Sequence, residues 1–260
     1  MKETYLSRDF RETVALRFPA RAKELNTAFD IRLSALLAEN AGASKEKQYH
    51  LKRQILPGIS AYETLQRVMP KEEALQTVHG YVEHLARTSH KQLAALLHIP
   101  GLYRLVPGVF VKSTRSVFGP AAGFAPKELQ TGNGVWRVDM MKCPYHDTCA
   151  EYGCPELCRC FCDSDDISYT GLHPKLIWER SMTLGRGNDH CDFCMKNHKI
   201  DAQEAKKMKK EETKRFICWC IAAAVYEKKA LCAPRRLTAI AELSVFFAES
   251  ASIASGVYIC

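Results

Sequence analysis

Residues 153–166 read GCPELCRCFCDSDD and combine a helix signature with four cysteines. Pro155 suits the first turn of a helix, where its missing N–H is not needed. A helix that runs to about Asp166 places Cys158, Cys162 and Asp166 on one stripe, at i, i+4 and i+8. Two thiols and a carboxylate on one face indicate either metal ligands or a nucleophile with an acid–base partner.

The segments on either side predict strands. Residues 176–183 alternate between two faces, the sequence GRGN at 185–188 supplies a turn, and residues 190–195 can return as the paired strand. This hairpin places Cys191, Phe193 and Met195 on one face. Upstream, residues 135–141 are rich in β-forming residues and predict a strand that leads into Cys143.

The first hundred residues predict helices, because apolar side chains recur at a spacing of three to four. Residues 99–133 are punctuated by Gly and Pro and predict turns and an irregular connection around one short helix near 110–118. The predicted helix starts are a cap at Ser7, a cap at Asn26, a capping box from Ser60 to Glu63 and a first turn at Pro70.

Together these patterns predict an α+β fold, with a helical N-terminal half packed on an antiparallel sheet and a helical C-terminal extension. The predicted parts are residues 1–133, mainly helical, residues 134–200, a cysteine-rich α+β region, and residues 201–260, the extension. After Asp201 the pattern predicts a long helix that Pro234 ends. We expect the three parts to form one compact domain.

Twelve cysteines in 260 residues are too few for a small disulfide-stapled scaffold, and eight of them lie between Cys143 and Cys194. The first 25 residues contain no uninterrupted apolar segment, which predicts no cleaved secretory signal and the reducing cytoplasm as the compartment. Glu242 and Glu249 interrupt the apolar tail, so we expect no membrane span.

The net charge of +8 is concentrated in one segment. Residues 203–236 contain ten Lys and Arg against four acidic residues, and a basic helix face is usually solvated. Because no zinc-finger spacing, RNA-binding aromatic signature or P-loop accompanies this segment, we expect no nucleic-acid partner. Self-association into a homo-oligomer stays open.

Seven motifs occur in an order and spacing that resemble the L-2-amino-thiazoline-4-carboxylic acid hydrolase family. They are CPY at 143–145, PELC at 155–158, FCD at 161–163 with Asp166, GLHP at 171–174, WERSMTL at 178–184, Gly187 and CDF at 191–193. The resemblance covers about residues 136–197. The end of this region is also similar, more distantly, to vinyl-reductase-like small-molecule-binding domains, which implies an α+β fold with an antiparallel sheet.

The resemblance implies hydrolytic opening of a small sulfur–nitrogen ring, such as 2-amino-thiazoline-4-carboxylate, to N-carbamoyl-L-cysteine. By family position, the implied roles are Cys162 or Cys191 as nucleophile or ligand, Asp166 as acid or base, and Cys143 as a supporting thiol or ligand. Arg180 could hold the substrate carboxylate, and Trp178 and His173 complete the expected substrate-binding residues.

A metal is neither required nor excluded by the sequence. The Cys191–Cys194 pair has zinc-knuckle spacing, but the other gaps are irregular, so the cofactor stays unknown, with zinc or another metal open. The tentative ligands are Cys143, Cys158, Cys162 and Cys191. Cys149, Cys154, Cys160 and Cys194 are additional to the family pattern. Any of these thiols could instead be a small buried hydrophobe.

Two other functions compete with hydrolysis. One is a non-enzymatic small-molecule or metal-binding sensor of the vinyl-reductase-like type, and the other is a cysteine-cluster metalloprotein with redox or lyase chemistry. The arrangement of the motif cysteines in space separates these hypotheses, since a site requires at least three of them to converge.

Overall fold

The described chain, residues 3–198 of a computed structural model, places six α-helices before its first strand. The α-helices are α1 (Tyr5–Arg17), α2 (Ala22–Glu39), α3 (Lys45–His50), α4 (Leu56–Leu65), α5 (Lys71–Leu97), α6 (Val106–Ser116), α7 (Pro144–Glu151) and α8 (Leu157–Tyr169). The strands are β1 (Pro126–Gly132), β2 (Val135–Met140), β3 (Leu176–Glu179) and β4 (Cys191–Asn197). The sheet order is β1-β2-β4-β3 with antiparallel pairs throughout, which confirms the predicted α+β class.

The predicted C-terminal extension, residues 201–260, lies outside the described residues, as do its long helix and the helix end at Pro234. The boundary that was predicted near residue 133 falls inside the hairpin that joins β1 to β2. The division into three parts therefore stays a prediction.

Helices α1 and α2 pack through apolar side chains spaced one turn apart. Leu6, Phe10 and Val14 of α1 are buried, and Phe10 stacks on Phe29 of α2 with ring centroids 4.5 Å apart. The predicted caps at Ser7 and Asn26 are wrong. Thr4 caps α1 by accepting the Ser7 N–H, and α2 already begins at Ala22, so that both predicted residues lie inside helices.

The predicted capping box at Ser60 is also wrong. Ser60 lies inside α4, fully buried, and its hydroxyl donates to the carbonyl of Phe29 at 2.8 Å. The tertiary hydrogen bond that joins α4 to α2 therefore takes the place of the predicted local capping interaction. Pro70 does precede a helix as predicted, and α5 then continues without a break to Leu97.

One face of the sheet is buried against α6 and the end of α8. Phe110 of α6 packs on Trp136 at 4.8 Å, and Tyr169 of α8 packs on Trp178 at 5.0 Å. The register explains the shared face, since the buried side chains alternate along both strands and lie opposite one another: Trp136, Val138 and Met140 in β2, and Met195, Phe193 and Cys191 in β4. The predicted pairing of β3 with β4 is confirmed, although β3 ends earlier, at Glu179.

Strand β1 was missed, because residues 99–133 were interpreted as an irregular connection. It is an exposed edge strand whose polar side chains lack the alternation of a half-buried strand. Asn133 and Gly134 form the two-residue turn into β2 with φ values of +50° and +76°, the left-handed conformations that such a hairpin requires.

Within residues 3–198, no single helix is both long and apolar enough to cross a membrane. Helix α5 and the segment Leu102–Ser116 have the length and apolar composition of a membrane span only when they are taken together, and the chain bends by 118° between them.

Candidate active site

Helix α8 brings two motif cysteines together. Cys158 and Cys162 are one turn apart, both are buried, and their Sγ atoms lie 3.9 Å from each other in hydrogen-bond geometry. The stripe predicted from the sequence is therefore confirmed for these two thiols. Helix α8 also packs against α5, and Cys160 Sγ on α8 contacts the Leu75 carbonyl there.

A short turn covers these thiols. Residues Leu184–Arg186 form one 3₁₀ turn, closed by Gly187 with φ of +85°. A Cβ atom at Gly185 would lie 2.8 Å from Cys162 Sγ and 3.2 Å from Cys158 Sγ, so only glycine fits there without a shift. The close approach lets the Gly185 N–H donate to the Cys162 sulfur.

Arg180 supplies a buried positive charge beside Cys162. Its Nη1 donates to Asp165 Oδ2 at 3.1 Å, and its Nη2 donates to Asp166 Oδ2 and to the Cys162 carbonyl, both at 2.6 Å. Burial lowers the pKa of Arg180, but the two carboxylates outweigh it and raise the pKa, so the guanidinium stays charged. Its Nε–H is buried and has no hydrogen-bond acceptor among the described residues.

These groups lower the pKa of Cys162 to about 7. The hydrogen bond from Cys158 contributes most, burial opposes it, and the charge of Arg180, the hydrogen bond from Gly185 and the nearby Thr183 hydroxyl add to the lowering. The Thr183 hydroxyl makes no standard hydrogen bond, yet it is near enough to the sulfur to contribute. The same hydrogen bond raises the pKa of Cys158, so Cys162, which also faces Arg180 and the Gly185 N–H, is the thiol of the pair that ionises more readily.

Cys143 and Cys191 complete what we call the thiol site, defined as Cys143, Cys158, Cys162 and Cys191. Both sulfurs lie close enough to Cys162 for a negative charge on Cys162 to raise their pKa values. Cys191 Sγ accepts the Leu184 N–H at 3.2 Å. Burial raises the pKa of Cys191 to about 12 and that of Cys143 well above its usual value, so both remain neutral thiols beside the thiolate.

The thiol site is not arranged as a metal centre. Across residues 3–198, no three His, Cys, Asp or Glu side chains are placed to hold a metal ion together. The tentative ligand set Cys143, Cys158, Cys162 and Cys191 therefore gains no support, even though its members are neighbours. Four sulfurs that face a common centre would be needed for structural zinc.

Asp166 and Trp178 are joined to Arg180 rather than left open to a ligand. Asp166 Oδ1 accepts the Trp178 Nε1–H at 2.9 Å, and its Oδ2 accepts from Arg180. Trp178 also packs against Phe193 at 5.9 Å. The predicted residues Asp166, Trp178 and Arg180 thus form one hydrogen-bonded unit on the flank of the thiol site.

His173 belongs to a different environment. Its ring stacks on Tyr103 at 4.7 Å, its Nδ1 accepts the Lys175 N–H at 3.0 Å, and its carbonyl accepts from Leu176 at the start of β3. This arrangement matches the role of a turn residue. The substrate-binding role of His173 stays a prediction.

The cover over Cys162 is held by two aspartates. Asp192 accepts the N–H groups of Ser181 and Met182 at 2.8 and 2.5 Å, which folds the chain after β3 back over α8. Asp163 accepts from Arg186 at 2.8 Å and contacts His79 of α5 at 3.3 Å. Burial raises the pKa of Asp163, but these two hydrogen bonds outweigh it and lower the pKa to about 2.

Sequence reasoning missed Thr183, Gly185 and Asp165 as members of the site. Thr183 and Gly185 flank Leu184 in the WERSMTLG segment, so the family motif itself carried the signal. Asp165 follows no local pattern, because Arg180, with which it forms an ion pair, lies fifteen residues further along the chain.

A second cysteine group, defined as Cys149, Cys154 and Cys160, lies on the side of α8 that faces α4, α5 and α7. A hydrogen bond to Cys154 and burial raise the pKa of Cys149. Cys160 Sγ contacts the Leu75 carbonyl at 3.9 Å. Cys194 is apart from both groups, opposite Glu179 in the sheet register. All eight cysteines of the described chain are free and buried.

The comparison with known families supports the motif assignment. The family profile described as L-2-amino-thiazoline-4-carboxylic acid hydrolase matches residues 48–195, which is more than half of the chain and includes the whole thiol site. No curated protein and no solved structure matches the chain significantly. The motifs of that family are the segments that build the Cys162 environment described above. The chain belongs to the L-2-amino-thiazoline-4-carboxylic acid hydrolase family.

Proposed function

We propose that the protein opens the ring of a 2-amino-thiazoline, such as 2-amino-thiazoline-4-carboxylate, with Cys162 as the nucleophile. One observation carries the proposal: the Cys162 sulfur is surrounded by the donors Cys158 and Gly185 and by the cation Arg180. Such surroundings favour a thiolate, and the thiolate is the reactive form of cysteine. The family match supports hydrolysis as the reaction class.

The first step would be attack of the Cys162 thiolate on the amidine carbon of the ring. A bond forms between that carbon and Sγ, and the bond from the carbon to the ring sulfur breaks. The departing sulfur takes a proton from Cys158, whose raised pKa keeps it protonated and whose sulfur is 3.9 Å from Cys162. The ring-opened substrate is then attached to Cys162 as an isothiourea.

Water would complete the reaction. Its oxygen bonds to the same carbon, one of its protons returns to Cys158, and the bond from carbon to Cys162 breaks. The remaining proton moves to nitrogen, which gives the urea of N-carbamoyl-L-cysteine and restores the thiolate. Splitting one difficult hydrolysis into two easier displacements is the usual benefit of covalent catalysis.

The substrate carboxylate needs a cation that can be reached and released. Both Nη atoms of the buried Arg180 are engaged, which leaves only its Nε–H for a substrate atom. Arg186 is paired with Asp163, but its side chain is 43% exposed and lies on the turn that covers Cys162, so it is the better carboxylate partner by exchange of that contact. Because Cys162 itself is only 2% exposed, this turn must move for a ring to reach the sulfur.

The test is turnover of 2-amino-thiazoline-4-carboxylate by the purified full chain, followed by mass spectrometry of the product and of the intact protein. We expect N-carbamoyl-L-cysteine to accumulate and, after rapid acid quenching, a protein mass increased by one substrate molecule. Cys162→Ala should give neither signal, whereas Cys160→Ala, altered two residues away on the same helix, should give both.

A panel of related rings then defines the substrate class. We expect the wild type to open the ring that lacks the 4-carboxylate with a higher KM than the ring that carries it. For the ring without the carboxylate, Arg186→Gln and the wild type should have the same KM. Binding without turnover for every ring would contradict the proposal and favour the small-molecule sensor hypothesis.

A further inference from the structure

The Cys158–Cys162 pair has a second chemical capacity, which does not depend on the proposed hydrolysis. The two sulfurs are 3.9 Å apart on one helix face, buried, and shielded from solvent by the turn at Gly185. We propose that this pair is a redox modification site, at which a peroxide converts Cys158 and Cys162 into a reversible disulfide. The disulfide would block the candidate nucleophile.

The chemistry balances with a peroxide as the oxidant. The Cys162 sulfur attacks one peroxide oxygen, the O–O bond breaks, and the departing hydroxide takes a proton to become water, which leaves Cys162 as a sulfenic acid. The Cys158 sulfur then attacks the Cys162 sulfur and expels hydroxide, which takes the Cys158 proton to form a second water. The two sulfurs lose two electrons in total, and the peroxide gains them.

The positions of the two cysteines permit this bond at the cost of local strain. In an α-helix, Cα atoms four residues apart are separated by about 6.2 Å, inside the range of about 4.4–6.8 Å for disulfides. Their Cβ atoms are about 5–6 Å apart, however, against about 3.8 Å in a relaxed disulfide. One turn of α8 must therefore tighten, and a strained disulfide is easily reduced, as a reversible modification requires.

The surroundings single out Cys162 as the sulfur that is oxidised. Arg180 and the Gly185 N–H stabilise negative charge on Cys162, whereas burial and a neighbouring thiol or carboxylate raise the pKa of Cys149 and of Cys160. Cys158 is the only thiol within sulfur hydrogen-bond distance of Cys162 among the described residues. A sulfenic acid formed at Cys162 would therefore meet Cys158 first.

Mass spectrometry of the full chain tests the proposal without any activity assay. The reduced protein is treated with equimolar hydrogen peroxide, its remaining thiols are alkylated during denaturation, and trypsin then cleaves after Arg159, between the two cysteines. We expect the intact protein to lose two hydrogen atoms and peptides 143–159 and 160–175 to be joined. Fragmentation should locate the bond at Cys158 and Cys162, and dithiothreitol should separate the peptides.

Variants sharpen the outcome. In Cys158→Ser, treated with three or more molar equivalents of peroxide, we expect Cys162 to gain two or three oxygens that dithiothreitol does not remove, whereas Cys149→Ser should form the same disulfide as the wild type. The proposal is overturned if the wild-type bond joins any other pair, if no bond forms, or if Cys162 is over-oxidised equally with and without Cys158. Because fragmentation of the wild-type peptides locates the bond directly, the test holds even if a variant fails to fold.

Discussion

Cys160 and Cys162 lie two residues apart on α8 and are both buried, yet their pKa values move in opposite directions. Burial raises the pKa of Cys160 to about 12, and the nearby carboxylate of Asp163 adds to the increase. The pKa of Cys162 falls to about 7, because the hydrogen bond from Cys158 and the contributions of Arg180 and Gly185 outweigh burial. One face of the helix therefore carries a thiol that resists ionisation, and the other carries a thiol whose ionisation is favoured.

Neither burial nor cysteine density marks the reactive thiol among the described residues. Removing a thiolate from water is unfavourable unless fixed donors and a cation replace the lost hydration. The thiol site has these groups because the chain after β3 folds back over α8. The face toward α5 offers Cys160 a carbonyl, that of Leu75, which cannot stabilise negative charge.

Replacing Cys162 and Cys160 separately by serine should give the largest difference in kcat. We expect Cys162→Ser to lower kcat for ring opening by about 10⁴-fold, since a nucleophile is lost. Cys160→Ser should stay within about 2-fold of the wild type, because it changes only packing. Steady-state assays of both variants, with circular dichroism to confirm folding, provide the measurement. Equal losses would show that the two helix faces do not differ in function.

The pH dependence of alkylation separates the same two thiols. We expect Cys162 to react with iodoacetamide at a rate that rises with pH around a midpoint of about 7, because only the thiolate reacts. Cys160 should begin to react only near pH 12. Peptide mapping of the alkylated sites distinguishes the two, and a common midpoint would contradict the assignment.

Removing the charge of Arg180 should make the pKa and the reactivity of Cys162 more like those of Cys160. In Arg180→Gln, we expect the pKa of Cys162 to rise and kcat near pH 7 to fall by about 100-fold. Stability should also drop by about 3–5 kcal/mol, because the fully buried Asp165 loses its ion-pair partner. Alkylation pH profiles and urea unfolding measure the two effects. Arg180→Lys should restore part of the thiolate character, which loss of packing alone cannot explain.

The fold and the thiol pair were largely predictable, because both depend on local periodicity. The i, i+4 spacing placed Cys158 and Cys162 on one face, and strand alternation gave the β3–β4 hairpin. Strand β1 was missed, because an exposed edge strand has no apolar alternation to detect. Ser60 shows that a local signature can also predict too much. Its sequence fits a capping box, but its hydroxyl donates a buried hydrogen bond to the Phe29 carbonyl instead.

The environment of Cys162 was not predictable at the same level. Gly185 reaches the sulfur only after the chain reverses at β3, and no spacing rule relates positions 162 and 185. Arg180 was correctly identified as important, but its two carboxylate partners changed what it is available to do. Contacts between distant segments decide charge stabilisation, and a single sequence does not specify them.

Adding a methyl group at Gly185 should loosen the turn that covers Cys162 and should lower kcat less than the loss of the Arg180 charge does. In Gly185→Ala, the added Cβ would meet Cys162 Sγ at 2.8 Å, so the sulfur or the turn must shift and the N–H contact must lengthen. We expect kcat to fall by about 10-fold and the alkylation midpoint of Cys162 to rise. Gly80→Ala on α5, where a Cβ meets nothing within 4 Å, is the matched control and should stabilise the protein by about 0.5–1 kcal/mol. An unchanged midpoint in Gly185→Ala would show that the Gly185 N–H does not act on the thiolate.

The smallest effect should come from Asp163, which holds Arg186 and His79 without touching a thiol of the thiol site. The pKa of Asp163 is about 2 in the folded protein against an ordinary value of 3.8, so its stabilising contribution is complete above about pH 4 and is lost as the pH falls toward 2. We expect Asp163→Asn to lower the unfolding free energy by about 1 kcal/mol at pH 7, after allowance for solvent screening, and by progressively less below pH 4.

The pKa of His79, which is raised chiefly by its hydrogen bond to Asp163, should fall in the same variant. Urea midpoints at several pH values and the NMR titration of His79 measure these effects, with the exposed Asp189→Asn as control. Because Arg186 would lose its anchor, we also expect Cys162 to be alkylated a few-fold faster as the turn opens more often, while Cys160 stays unreactive. If Cys162 were alkylated at the wild-type rate, the turn would not be held by Asp163, and access to the sulfur would depend on the loop that Asp192 organises instead.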